Sequence, residues 1–274
     1  MLKKGIRDGC FGGKLSLEEK FRVGAGAGFH GMEMTYPEDG EFSLNSPDSK
    51  LLDVKGLAER YGMALHSMGA GLPWQYPLTA ADRQIREKGL RYMERTIDIA
   101  ANLGIDSLLT ITARVEPGVS YQDAWDVSMT ALKKLARRAA DKGVYLLIEN
   151  VWNKFLMSPL EMARYIDEAE SDHVGAYFDV GNVMTFGYPE HWIEVLGPRI
   201  KKVHIKDFIA ARQNRDGFCG LLEGDVSWRA VMPALKRIGY DDWATIEVNA
   251  YAGYPEAGVA ELSRQLDIIL EEYR

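Results

Sequence analysis

The chain has 274 residues, 46% of them hydrophobic, and its 33 Lys plus Arg against 40 Asp plus Glu give a formal net charge of −7. This is a folded, water-compatible composition rather than a disordered or fibrous one. The acidic balance argues against a dedicated nucleic-acid binder, which needs a basic stripe to replace counterions on a phosphate backbone. Small molecules are the expected partners, with no nucleic acid and no membrane. Cys10 and Cys219 stand too far apart in sequence for a metal knuckle or a redox pair. The stretch MLKKGIRDGCFGG lacks the apolar run of a signal peptide, and no later run is long enough to span a bilayer, so a cytoplasmic location is expected.

In chain order, β-rich runs alternate with helical stretches. A strand at 3–9 is followed by a helix at 16–27, GMEMTY (31–36) by a helix at 48–61, and MALHSMG (63–69) by a helix at 80–103. DSLLTIT (106–112) leads to a helix at 121–142, VYLLIEN (144–150) to one at 158–170, and VGAYFDV (174–180) to one at 189–196. KKVHIKD (201–207) precedes a helix at 228–238, and WATIEVN (243–249) precedes the last, at 257–273. Ser158-Pro159-Leu160-Glu161 places a capping residue before a proline at the first helical position, and Gly143 and Gly239 close two helices. Near-continuous apolar strands such as VYLLI suit a parallel sheet covered by helices. Eight strands and eight helices with no linker between them predict an α/β fold, one (β/α)8 TIM barrel over 1–274, with a doubly wound open sheet as the runner-up. Gly26-Ala27-Gly28-Phe29-His30-Gly31 spells a dinucleotide fingerprint, but it closes a helix and leads into a strand, the reverse of what pyrophosphate binding requires.

In such a barrel the chemistry sits at the C-terminal ends of the strands. Those ends carry Glu149 on the fifth strand, Asp179 on the sixth, His204 on the seventh with Lys206 and Asp207 beyond it, and Glu247 on the eighth; Glu33 and His66 come from the second and third. Three carboxylates and an imidazole after buried apolar runs are costly unless neutralised, and a divalent cation neutralises them. Oxygen-rich ligation with one His favours Mn, Mg or Co over a structural zinc, although zinc stays open. The alternative is a set of separate ion pairs, with Lys201, Lys202 or Arg199 as partners.

At these residues the chain resembles the xylose-isomerase-like sugar isomerases and epimerases. It is most similar to the branch of L-ribulose- and L-xylulose-5-phosphate 3-epimerases, hexulose-6-phosphate isomerases and tagatose and psicose 3-epimerases. The resemblance runs through IENVWNKFLMSP (148–159), YFDVGNVMTFGYPEHWIEVLGPRIKKVHIKDF (177–208), GDVSWRAVMPAL (224–235) and ATIEV (244–248). It implies one metal held by Glu149, Asp179, His204 and Glu247, with Glu149 and Glu247 also acting as the acid/base pair. The free-sugar epimerases place a His three residues after the metal Asp. Here Asn182 stands there, which can hydrogen-bond an oxygen but cannot take up a proton, so phosphorylated ketoses are favoured. An Arg after the strand-seven His contacts substrate in that group; Arg212 and Arg215 are the candidates, Arg215 preferred. The loop 207–227, rich in Gly and Arg, suits a cover over the site.

Trp152 is the one aromatic expected at the substrate; Phe11, Trp74, Phe155, Tyr251 and Tyr254 have ordinary packing as their first reading. His66 either binds a hydroxyl or is a satisfied barrel histidine, and Glu33 either touches substrate or orients a ligand from behind. The resulting expectation is a metal-dependent ketose (phosphate) 3-epimerase or isomerase, with dimers or tetramers expected from relatives. The rivals are an inosose-type dehydratase, a non-catalytic sugar-binding barrel and a metal-dependent abasic-site endonuclease, the last disfavoured by five histidines and the acidic charge.

Overall fold

A computed structural model describes residues 2–12, 15–40 and 42–273. Eight parallel strands close on themselves: β1 (Lys3–Arg7), β2 (Gly31–Thr35), β3 (Ala64–Gly69), β4 (Ser107–Thr110), β5 (Tyr145–Glu149), β6 (Val174–Asp179), β7 (Ile200–Ile205) and, after a small ribbon, β10 (Trp243–Ile246). Closure is made by β1 pairing with both β2 and β10, for example Gly5 with Gly31 and with Thr245. Around them run α1 (Leu17–Gly26), α2 (Asp48–Tyr61), α3 (Arg83–Leu103), α4 (Tyr121–Lys142), α5 (Pro159–Glu168), α6 (Pro189–Leu196), α7 (Trp228–Arg237) and α8 (Pro255–Glu271). The expected (β/α)8 TIM barrel is the observed fold. No helix among the described residues is long and apolar enough to cross a membrane.

Local chemistry sets the boundaries. Ser16 and Glu19 form a reciprocal capping box at α1, Asp82 accepts from the Gln84 N–H so that α3 starts at Arg83 and not at 80, and Pro255 opens α8 two residues earlier than the sequence suggests. The core has two layers: strand residues such as Leu146, Ile148, Phe178 and Val203 fill the space beside helix residues such as Ile97, Leu132, Val231 and Leu266, all of them buried. Gly31 is required by this packing, since a Cβ there would lie 2.7 Å from the Ala64 carbonyl oxygen and from the Trp243 ring. The glycine-rich 26–31 run therefore serves a tight helix-to-strand turn.

The strands are not all regular. Between β2 and β3 the register steps from Met32–Leu65 to Glu33–Ser67, leaving His66 as the extra residue of a bulge. The loop after β7 is built, not loose: β8 (Asp207–Phe208) pairs antiparallel with β9 (Phe218–Cys219). The buried carboxylate of Asp207 anchors it, accepting from the N–H groups of Leu222 and Val226 and from the Trp228 indole.

Candidate active site and metal centre

Glu149 and Asp179 are the last residues of β5 and β6, His204 sits opposite Asp179 in the β6–β7 register, and Glu247 follows β10 directly with its N–H bonded to the Ile205 carbonyl. One ligand atom from each of the four lies within 4.8 Å of the others. His204 Nδ1 is 3.4 Å from Glu247 Oε2, 3.7 Å from Asp179 Oδ2 and 3.9 Å from Glu149 Oε1. Asn150 straps the group together: its side chain accepts from the Asp179 N–H at 2.8 Å and donates to the Asp179 carbonyl at 2.7 Å, pinning one ligand-bearing strand to the next. Asn182 donates to Glu149 Oε1 and to the Asn150 carbonyl, and its own N–H bonds Asp179 Oδ1.

The donor set suits a cation. His204 is fully buried, its Nε2 faces the Glu33 carboxylate at 3.1 and 3.2 Å, and its Nδ1 has no hydrogen-bond partner. A buried ring nitrogen 3.4–3.9 Å from three carboxylates and hydrogen-bonded to none of them fits a metal ligand. Charge agrees. Glu33, Glu149, Asp179 and Glu247 face two cationic side chains: Lys206, 2.9 Å from Asp179 Oδ2 and 2.6 Å from Glu247 Oε2, and Arg7, ion-paired to Glu247 and 3.5 Å from Glu33. With His204 neutral, two positive charges are missing, the charge of one divalent ion. Without an ion the protein pulls a proton in instead: burial disfavours the charged His204 ring, but the Glu33 and Glu149 carboxylates overcome that and carry it up to about 9. Burial likewise opposes ionisation of Glu33, yet His204, Arg7 and the Tyr177 hydroxyl hold its carboxyl well below the usual range.

Above the cluster the mouth of the barrel divides into two chambers that share Arg7, Lys206, Phe218 and Glu247. The larger, about 550 Å³, runs over Asp8, Thr35 and Asn249; the smaller, about 310 Å³, is walled by Trp74, Trp152, Leu109 and Ile111 and holds Glu149, Asn182 and Arg215. Trp152 donates its indole N–H to the Asn182 carbonyl at 2.8 Å and stacks on Phe218 at 5.2 Å, so the ribbon forms one wall of the site.

Of the residues expected at the site, Glu149, Asp179, His204 and Glu247 converge, and Asn182, Trp152 and Arg215 line the smaller chamber. Arg212 lines neither chamber and donates to the Asp216 carbonyl. Two expectations of substrate contact are not met. Glu33 has no exposed surface and reaches neither chamber, because His204, Ser67 and Tyr177 enclose its carboxylate. His66 lies in the barrel beneath the cluster, stacked on Trp243 at 4.2 Å, where burial lowers its pKa to about 3. Phe11 and Phe155 are core residues, and Tyr251 and Tyr254 are exposed. Arg7, Lys206, Asn150 and Tyr177 went unassigned; Lys206 lies two residues after His204 and Tyr177 two before Asp179, the spacing that returns a strand side chain to the same face.

The family model described as a xylose isomerase-like TIM barrel matches residues 21–268. An L-ribulose 3-epimerase from Mesorhizobium japonicum is 27% identical over 76% of this chain and 69% of its own length. A putative L-ribulose-5-phosphate 3-epimerase from Haemophilus influenzae is 22% identical over 78% of this chain and 76% of its own. An inosose dehydratase from Geobacillus thermodenitrificans is 24% identical over 86% and 83%. A crystal structure of a D-psicose 3-epimerase superposes with a TM-score of 0.83 at 18% identity over 99% of each chain, a likeness of fold.

Proposed function

The chain belongs to the xylose isomerase-like TIM barrel family, and from that premise we propose that it is a divalent-metal-dependent sugar epimerase, inverting C3 of a small ketose or ketose phosphate. The observation that carries this reading is the buried, unpartnered His204 Nδ1 facing Glu149, Asp179 and Glu247 at the floor of a sugar-sized opening. The relatives named as 3-epimerases support the same chemistry.

Glu149, Asp179, His204 and Glu247 would hold the cation, manganese being the first to try. The bound ion would supply Lewis-acid polarisation of the ketose oxygens, a contribution of several kcal/mol. Epimerisation at C3 removes a proton next to the C2 carbonyl, leaving an enediolate, and returns a proton to the opposite face. Glu149 and Glu247 come from strands separated around the barrel by β6 and β7, so a sugar between them meets a carboxylate on either side. One takes the C3 proton and the other, protonated, returns it, a positioned pair worth about 10²–10⁴ in rate. Arg7 and Lys206 hold Glu247 from its two oxygens. Asn182 offers an amide to a substrate oxygen, Trp152 an apolar wall to the C–H face of the ring, and Phe218 beside it excludes water. Arg215 lines the smaller chamber with no carboxylate partner among the described residues, which supports a phosphorylated ketose. A cytoplasmic enzyme of carbohydrate metabolism, with one barrel domain per chain assembled into a dimer or tetramer, completes this reading.

A second reading, loss of water from the same enediolate, is favoured by the inosose dehydratase relative. Incubation with ketoses, ketose phosphates and inosose in heavy water with Mn²⁺ separates them. Deuterium at C3 with an inverted product is the expected result. Deuterium at C1 or C2 would mean aldose–ketose isomerisation, release of water would mean a dehydratase, and no exchange with any of these compounds would overturn the enzymatic reading.

A further inference from the structure

The Glu33 carboxylate belongs to no chamber, yet four side chains converge on it. Oε2 accepts from Ser67 Oγ at 2.8 Å and from the Tyr177 hydroxyl, Oε1 lies 3.5 Å from Arg7 Nε, and both oxygens face His204 Nε2. Tyr177 also lies against the His204 ring, centroids 4.4 Å apart. The imidazole is thereby held by an edge and a face.

Three features of the chain are needed for this arrangement. The bulge at His66 shifts the β2–β3 register so that Ser67 pairs with Glu33 and its hydroxyl reaches the carboxylate. Tyr177 precedes Asp179 by two, so the same strand supplies a proposed ligand and a donor to Glu33. Arg7 ties Glu33 to Glu247 at the mouth.

We infer that Glu33, supported by Ser67 and Tyr177, is a positioning residue that fixes His204 in the tautomer with hydrogen on Nε2, keeping the Nδ1 lone pair aimed at the cation; this rests on the metal-binding reading above. A neutral imidazole has one N–H and one lone pair, and the hydrogen bond made by one nitrogen decides which of them the other presents. With a carboxylate fixed on Nε2, the ring donates there and Nδ1 is the ligand atom. The carboxylate also makes the ring more basic towards a cation, and loss of such a partner typically costs about 10–100-fold in metal affinity. No substrate contact is required.

The test is calorimetric titration of Mn²⁺ into chelator-stripped protein, with no sugar present. Glu33→Gln, which keeps the shape and removes the charge, is expected to weaken Mn²⁺ binding by about 10–100-fold. Ser67→Ala, which removes one donor from Oε2, is expected to weaken it less, and it carries the test if Glu33→Gln does not fold. Asp242→Asn, at the other end of the barrel, reports general damage and is expected to leave affinity unchanged. In the Mg²⁺-loaded unaltered protein, nitrogen NMR of His204 is expected to show hydrogen on Nε2. Unchanged affinity in the Glu33 and Ser67 variants, or hydrogen on Nδ1, would overturn the inference and leave the proposed activity standing. Failure of the unaltered protein to bind Mn²⁺ would overturn both.

Discussion

The two ends of the barrel bury charge in different ways. At the N-terminal end, Lys4 donates to Asp267 at 2.8 Å and to the Ser263 carbonyl, and Lys202 pairs with Asp242, so each buried cation has its own carboxylate. At the C-terminal end, four carboxylates share Arg7 and Lys206, and a ring nitrogen among them has no partner. A buried pair that balances locally holds the fold; a buried surplus has to be completed from outside. The difference singles out the C-terminal end without reference to relatives, because an uncompensated charge is retained at a cost in stability.

The widest separation between the ends is expected from exchanging one carboxylate at each. Glu247→Gln removes a proposed ligand and one member of the proposed acid/base pair, and C3 deuterium exchange is expected to fall by at least about 10²–10⁴-fold. Asp242→Asn is expected to leave exchange unchanged and to lower unfolding free energy by about 1–2 kcal/mol, less than a fully buried pair would lose because Asp242 is one-third exposed. Exchange that survives in Glu247→Gln would remove the distinction between the ends.

A divalent cation tests the missing charge directly. Mn²⁺ at one hundred times its dissociation constant is expected to stabilise the protein by about 2.7 kcal/mol, raising the melting temperature by roughly 5–10 °C for a chain of this size. A chelator should abolish the gain. The Glu247→Gln protein, with one ligand fewer, should respond weakly. A melting temperature indifferent to Mn²⁺ and Mg²⁺ would mean that Lys206 and Arg7 alone balance the cluster.

Much of this was legible in the sequence. The strand count gave the barrel, and the rule that chemistry sits at strand ends gave Glu149, Asp179, His204 and Glu247, because parallel strands with helical crossovers leave little choice about where their ends go. What escaped was whatever depends on register. The His66 bulge sends two successive residues, His66 and Ser67, into the interior, and no alternation pattern announces an inserted residue. Glu33 and His66 therefore looked equivalent, polar residues on adjacent strands, although one faces His204 Nε2 and the other packs on Trp243. Arg7 was within reach of the strand-end rule, being the last residue of β1, but it sits beside glycines and charges that also suit a turn. The two-residue strands β8 and β9 are too short to carry any periodic signal.

The smallest expected effect concerns the two buried histidines, which the barrel treats oppositely. His66 has an ordinary pKa near 6.5 and a folded one of about 3, lowered by burial on Trp243. The folded chain refuses the proton that the unfolded chain accepts, so stability is complete above about pH 6.5 and falls as the pH drops, by about 1.4 kcal/mol per unit. His204 in the metal-free protein is shifted up to about 9, so its contribution is complete below pH 6.5 and is lost as pH rises through 9. Below about pH 6, where the unfolded chain has both histidines protonated, the slope therefore belongs mainly to His66. Urea unfolding of chelator-treated protein at about pH 6 and about pH 5, where the His204 contribution has levelled off, should show a loss of roughly 1 kcal/mol, and His66→Gln should flatten it whatever it does to the absolute stability. A slope that persists in His66→Gln would mean that the acid sensitivity resides in the carboxylate cluster, and the N-terminal end would then be as passive as its paired charges suggest.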